Sequence, residues 1–203
     1  MTDGAEAPPS ATEWPVELRG VTETVVTTIG PNDLWNVAAL GVHAPEDGGA
    51  ATATTWGNTR TRRNFHREGG GYVQFATDPV VFADATLSIR EEPDPVLEAA
   101  DAWAQVEATH VDTDETENGT RRQHWELRPV ESDVVEEAPR TINRGFNAVV
   151  EATVAASRLD VPAYDTETLR ERLRYFESVV ESAGSVRERE AMARVREHAD
   201  GDW

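Results

Sequence analysis

From Ala50 to Asp78 the chain reads AATATTWGNTRTRRNFHREGGGYVQFATD. The small and β-branched residues up to Trp56 predict a strand, and Thr59 or Asn58 is placed to cap a helix running to about Arg67. Gly69-Gly70-Gly71 then ends the helix, and Tyr72 to Ala76 predicts the next strand. A short helix pinned between two strands restricts the chain to folds that mix both elements. No acidic residue lies between Gly48 and Arg67, yet Arg60, Arg62, Arg63 and Arg67 all fall at that helix. Asn58, Thr59, Thr61 and Asn64 stand among them as short donors. Hydroxyls, amides, guanidinium groups and the free N–H groups of a helix start are what a phosphate needs. The stretch therefore reads as a grip on a cofactor phosphate or as a solvated, Arg-rich helix face, and spacing alone does not separate the two.

Charge gives that stretch its contrast. The 203 residues carry 38 acids and 19 basic residues, a net of −19, and every basic residue is arginine. Residues 1–90 hold 11 acids and 6 arginines, whereas residues 91–203 hold 27 acids and 13 arginines, so the second half is the better candidate for outer surface. Such a balance fits a halophilic archaeal protein, because acidic surfaces stay hydrated and mutually repulsive in concentrated salt. At 1 M salt the Debye length is about 3 Å, so a phosphate site must work by direct contact. The same charge argues against nucleic acid as a partner. There is no cysteine, which excludes disulfides, thiol catalysis and Cys-ligated metal centres. No apolar run approaches the ~20 residues of a membrane span, and MTDGAEAPPSATE lacks the basic and apolar regions of a signal peptide. A cytoplasmic protein without membrane contact is expected.

Residues 1–13 are expected to form a disordered tail. Trp14 to Arg19 is expected as a short first strand. Glu23 to Ile29 and Leu34 to His43 predict a hairpin across the Gly30-Pro31-Asn32-Asp33 turn. Alternation on the second of these strands puts Asn36, Ala38 and Leu40 on one face, where the small Ala38 would leave room for a flat ring. Asp78-Pro79 and Asp94-Pro95 each read as a helix opening, the second for a short helix through Ala100. Trp103 to Thr113 and Arg121 to Val130 predict two strands around Asn118-Gly119. Asn118-Gly119-Thr120 also fits a glycosylation pattern but is read as a turn. From about Ala138 the pattern turns helical. Leu169, Leu173, Phe176 and Val180 form one stripe, Ala191, Val195 and Ala199 another, and Gly184-Ser185 breaks the chain between them. These stripes read as core or dimer contacts. The expected division is a barrel over residues 14–137 and a helical part over residues 138–203.

Catalytic constellations are missing. His43, His66, His110, His124 and His198 are scattered, so no metal site is expected, and no Gly-x-Ser-x-Gly elbow is present. His66 either faces phosphate or simply faces solvent. No catalytic residue is assigned.

Asn36-Val37-Ala38-Ala39-Leu40-Gly41, then Thr59-Arg60-Thr61-Arg62-Arg63-Asn64-Phe65, then Gly71-Tyr72-Val73-Gln74-Phe75-Ala76-Thr77-Asp78-Pro79 resemble, in this order, the flavin-binding split-barrel proteins. That family includes flavin reductases and flavoredoxins. The resemblance covers about Thr22 to Pro79, and the run Asn143 to Ala152 is similar to archaeal members with an added helical C-terminal part. Gly57-Asn58 departs from the Gly-Ser common in relatives, which leaves the identity of the phosphate donors open. The resemblance implies a mainly β, α+β fold, a split β-barrel of the FMN-binding type followed by helices. It implies FMN as cofactor, with Thr59, Thr61 and Asn64 on the phosphate and charge from Arg60 or Arg62 and Arg63. Asn36, Ala38 and the Trp56–Asn58 backbone would meet the ribityl chain or ring, and Thr77 and Asp78 the ring edge. It also implies a homodimer with flavin at the interface, where Asn143 and Arg144 would reach the site from the helical part or from the partner chain. An oxidoreductase with a small-molecule electron donor, NAD(P)H among the candidates, and an acceptor would follow. The alternatives are a flavin or phosphate-ligand carrier without turnover and a structural interaction module.

Overall fold

The computed structural model describes residues 13–45, 49–117, 119–138, 141–199 and 203. The expectation of a disordered tail falls almost wholly on residues outside these, as does Asn118 of the expected turn. In chain order the elements are β1 (Val21–Ile29), β2 (Trp35–His43), β3 (Ala51–Trp56), α1 (Arg60–Glu68), β4 (Gly70–Phe75) and α2 (Pro79–Leu87). They continue with β5 (Arg90–Glu92), β6 (Ala102–Glu115), β7 (Arg121–Val134), α3 (Arg144–Ala156), α4 (Thr166–Ala183) and α5 (Val186–His198).

All strand pairs are antiparallel, and the order β1-β4-β6-β7-β3-β2 closes through the β1–β2 hairpin into a six-stranded barrel. The closure is uneven. β2 and β3 share only the pairs Val42↔Ala53 and His43↔Thr52. Beyond them the strands part, and β5 pairs with the freed edge of β2 from Val37↔Arg90 to Trp35↔Glu92. The α+β class with a barrel followed by helices is therefore as the resemblance implies.

Alternation sorts the side chains. Val26, Leu40, Val42, Ala51, Ala53, Val73, Ala104, Trp125 and Leu127 fill the barrel, and Phe65 of α1 joins them. On the outside, Val25 of β1 and Val37 of β2 pack against Phe82 and Ala85 of α2. The opposite side of α2, with Val80 and Ala83, enters the cluster formed by α3, α4 and α5. A helix apolar all round is one buried all round, and α2 is the element shared by barrel and helices. Leu169, Leu173 and Val180 are buried with Phe176 packed beside them, and Ala191 and Val195 are buried, as their stripes predict.

Two expected elements differ. Trp14 to Arg19 is not a strand; Trp14, Val16 and Leu18 instead pack on the barrel cluster, Trp14 edge-on to Phe75 at 6.3 Å. Asp94 to Ala100 is a series of turns rather than a helix. There the buried Gln74 side chain donates to Pro95 O (2.9 Å) and accepts from Leu97 N (2.7 Å). Long-range bonds thus take the Pro95 carbonyl, which a helix would have paired within itself, and the Leu97 N–H, which a helix cap would have taken. β5 has no signal in its three polar residues and exists only because β2 offers an edge. The strand after α1 begins at Gly70 rather than Tyr72, because Gly70 and Gly71 already pair with Glu107 and Val106 of β6, so closely that a Cβ at Gly70 would sit 2.2 Å from Val106 O.

Close approach also fixes Gly145 in the first turn of α3, where a Cβ would lie 2.6 Å from Gly184 Cα. Helix propensity alone favours Ala over Gly by about 1 kcal/mol. The collision is backbone against backbone, so Gly145→Ala is expected to reverse that sign and lower the urea midpoint. A midpoint raised as propensity predicts would show that α3 and Gly184 do not touch.

Candidate functional site

Helix α1 is held by its inner face. Phe65 meets the indole of Trp125 at 5.1 Å, and Asn64 Nδ2 donates to Thr28 Oγ1 (2.9 Å) and Thr28 O (3.2 Å). Thr61 and Asn64 are both buried, one helical turn apart, and lie on that same inward side. Asn36 stands opposite Thr28 in the β1–β2 register. It is buried, and its amide forms no hydrogen bond among the described residues. Ala38 and Leu40 share its face, as alternation predicts.

The start of α1 points the other way. Thr59 is the N-cap, and its hydroxyl accepts from Arg62 N at 3.3 Å. Helix geometry leaves the N–H groups of Arg60 and Thr61 without intrahelical acceptors. There is no acid in the first turn, so the positive end of the helix is not neutralised from within. Asn58 gathers the arginines: its Oδ1 accepts from Arg62 Nη2 (2.6 Å) and Arg63 Nη1 (3.2 Å), and its carbonyl accepts from Arg63 Nη1 (2.8 Å). Arg62 Nε is buried and has no partner among the described residues. Such orphaned donors are rare in native proteins. Arg60 is engaged elsewhere, bridging to Glu91 of β5 at 2.7 Å across the gap where β2 and β3 part. Arg67 donates to Ile29 O and pairs with Glu68.

His66 is an exposed residue of α1 whose ring reaches the barrel's end. Its Nε2 bonds Gln123 Oε1 at 2.8 Å, and its ring stands 4.9 Å from Trp125. Trp56 projects from the barrel, half-exposed, with the Arg122 guanidinium 5.5 Å from its ring. Arg122 is fixed in turn by two bonds to Asp114.

The remaining candidates form a second group. Thr77 is exposed; Asp78 caps α2, accepting from Val80 N (2.8 Å) and Val81 N (3.3 Å). Asp78 also receives Arg187 Nη2 at 2.6 Å, a residue from α5 that the sequence did not suggest. Asn143 caps α3 through Phe146 N, while its Nδ2 donates to Glu188 Oε1 at 2.7 Å. Arg144 is exposed in the following turn. Glu188 completes the capping box of α5 with Ser185. The structure thus brings Asn58 to Asn64 together, and brings Asp78, Arg187, Glu188 and Asn143 together. Among the described residues no hydrogen bond or ion pair joins the two groups. The Ser185-x-x-Glu188 box could have been read from the sequence; the Arg187–Asp78 contact spans 109 positions and has no local signal. No group of three or more potential metal-ligating side chains occurs among the described residues, and no helix there is long and apolar enough to cross a membrane.

A six-stranded antiparallel barrel, parted between β2 and β3 and followed by packed helices, defines a split-barrel protein with a helical C-terminal part. Residues 22–136 match the N-terminal domain of the DUF447 family, described as proteins of unknown function, and residues 143–197 match its C-terminal part. The chain belongs to that family. Among solved structures it is similar to an FMN-bound DUF447 protein from Methanosarcina mazei, at 26% identity over 90% of this chain and 96% of that one, TM-score 0.75. Weaker likenesses include nitrilotriacetate monooxygenase component B from Bacillus cereus (15% identity, 61% of this chain and 76% of that one, TM-score 0.46). Flavoredoxin from Methanosarcina acetivorans is another (12% identity, 70% and 79%, TM-score 0.40).

Burial alone would raise the Asp78 carboxyl, but the Arg187 guanidinium and the N–H groups of Val80 and Val81 outweigh it and hold the group below its ordinary value. The stability this confers is complete above the unfolded value of about 4 and is lost as pH falls through the lowered one. Arg187→Gln should move the Asp78 titration, followed by carbon-detected NMR, back toward the ordinary range and shrink the acid-induced loss of stability. An Asp78 that titrates normally in the unsubstituted chain would contradict the contact.

Proposed function

We propose that this protein binds FMN with the start of α1 on its phosphate and acts as a flavin-dependent oxidoreductase. The observation that carries the reading is the pair of guanidinium groups, Arg62 and Arg63, that Asn58 gathers beside an acid-free helix start. A phosphate monoester matches that donor set in charge and in hydrogen-bond demand. The N–H groups of Arg60 and Thr61, the Thr59 hydroxyl and the Arg62 and Arg63 guanidinium groups would hold it. Asn58 keeps the two guanidinium groups together, and Asn64, committed to Thr28, holds the helix in place. The FMN-bound relative in the same family supports this choice of ligand.

When bound, the flavin supplies hydride and electron-transfer chemistry, which fits a site without a nucleophile or metal cluster of its own. The chain's residues then bind and orient it. Asn36 offers an amide uncommitted among the described residues on the inner face of β2, and Ala38 keeps that face low. The Trp56–Asn58 backbone would follow the ribityl chain. Thr77, Asp78, Asn143 and Arg144 would complete the site in a homodimer, brought to the flavin from the partner copy. NAD(P)H is the proposed electron donor, with a small-molecule acceptor. We further propose the division into a barrel over residues 14–137 and helices over 138–203, and a halophilic, cytoplasmic setting for so acidic a chain.

The purified protein should be yellow, and the small molecule released on denaturation should have the mass of FMN. NAD(P)H should bleach the bound flavin; FMN that binds without being reduced would leave a carrier. Arg62→Gln should weaken FMN binding about tenfold with the fold intact by circular dichroism. A colourless protein indifferent to FMN in molar salt, or an Arg62→Gln variant of unchanged affinity, would contradict the reading.

A further inference from the structure

β5 lies outside the six strands that close the barrel and holds only the freed edge of β2. Its middle residue, Glu91, is the register partner of Asn36. Directly opposed residues of an antiparallel pair put their side chains on one face, with Cβ atoms about 5 Å apart. Glu91 therefore leaves the sheet on the side of Asn36 and Ala38, while Arg90 and Glu92 pair with each other on the opposite side at 2.7 Å. From there the Glu91 carboxylate reaches two other elements. Its Oε1 accepts from Arg60 Nη1 at 2.7 Å, at the first residue of α1, and its Oε2 accepts from Asn32 Nδ2 at 3.3 Å, in the β1–β2 turn.

A carboxylate has about four acceptor sites, so one bond at each oxygen leaves capacity on both. The Glu91 side chain also keeps 29% of its surface, so that capacity is within reach of a ligand. The inference rests on the flavin reading, in which the phosphate sits at the start of α1 and the ring at the inner face of β2. Glu91 is bonded to Arg60 at the first place and stands beside Asn36 at the second, so the linker between phosphate and ring runs past it. That linker is a polyol, whose hydroxyls are hydrogen-bond donors. We propose that Glu91 is a further binding residue that accepts hydrogen bonds from the ribityl hydroxyls, with Arg60 and Asn32 as the positioning residues that hold its carboxylate in place.

Charge alone predicts the opposite effect. A carboxylate repels a phosphate dianion. If Glu91 were no more than the counter-ion of Arg60, removing it would leave FMN affinity unchanged or raise it, because the freed guanidinium adds attraction. The full chain and its Glu91→Ala variant are titrated in molar salt with FMN, with riboflavin and with lumiflavin, which has the ring but no hydroxyl chain, by following flavin fluorescence. Glu91→Ala is expected to weaken FMN and riboflavin by about tenfold each and to leave lumiflavin unchanged within about twofold, with the circular dichroism spectrum preserved. An FMN affinity equal to or higher than that of the unsubstituted chain would overturn the proposal. So would a loss confined to FMN, which would place the effect on the phosphate, or an equal loss for lumiflavin, which would mark general damage to the site. An unsubstituted chain that binds no flavin refutes the flavin reading itself; one that binds FMN beside an indifferent Glu91→Ala variant refutes this inference alone.

Discussion

Phe65 against Trp125 and Asn64 against Thr28 seat α1 over the barrel, and its Arg-rich face inherits its position from those contacts. A nine-residue helix has little stability of its own. The apolar anchor, the Thr59 cap and the Gly69 end supply what length does not. With the inner face fixed, the part-buried Arg62 and the exposed Arg63 stand at a helix start whose first turn holds no acid. Asn58 draws both guanidinium groups to one point. Only after that does the stretch become a concentrated positive site in a chain of net charge −19.

The same economy appears at α2. One side of it covers the outer faces of β1 and β2, and the other belongs to the cluster of α3, α4 and α5. Its N-cap, Asp78, is pinned by Arg187 of α5, so the barrel and the helical part are joined by apolar packing and by a charge-assisted contact at one end. The capping groups of α3 and α5 meet beside it through Asn143 and Glu188. Residues proposed for the flavin site thus also serve as helix caps, which ties the shape of that region to the integrity of three helices.

Much of the architecture was legible because it was local. The β1–β2 hairpin, the Thr59 and Asp78 caps, the Gly69 stop and the stripe of α4 each follow from residues within a few positions of one another. What escaped was non-local. Asp94-Pro95 has a helix-opening sequence, yet Gln74 and Thr27 capture the carbonyl of Pro95 from the neighbouring strands. β5 is three polar residues given order only by the free edge of β2. At the site, the Arg-rich run was visible as a charge contrast, but its division of labour was not. Sequence could not show that Arg60 answers to Glu91, that Asn64 faces inward, or that Arg187 reaches Asp78.

If a phosphate seated on α1 is the foundation of ligand binding, removing it from the ligand while leaving the ring and ribityl chain unchanged should remove most of the affinity. The direct measurement is the dissociation constant of FMN beside that of riboflavin, in molar salt where long-range attraction is screened. The account predicts that FMN binds at least about a hundredfold more tightly. Affinities equal within about twofold would mean that the helix start does not hold the ligand.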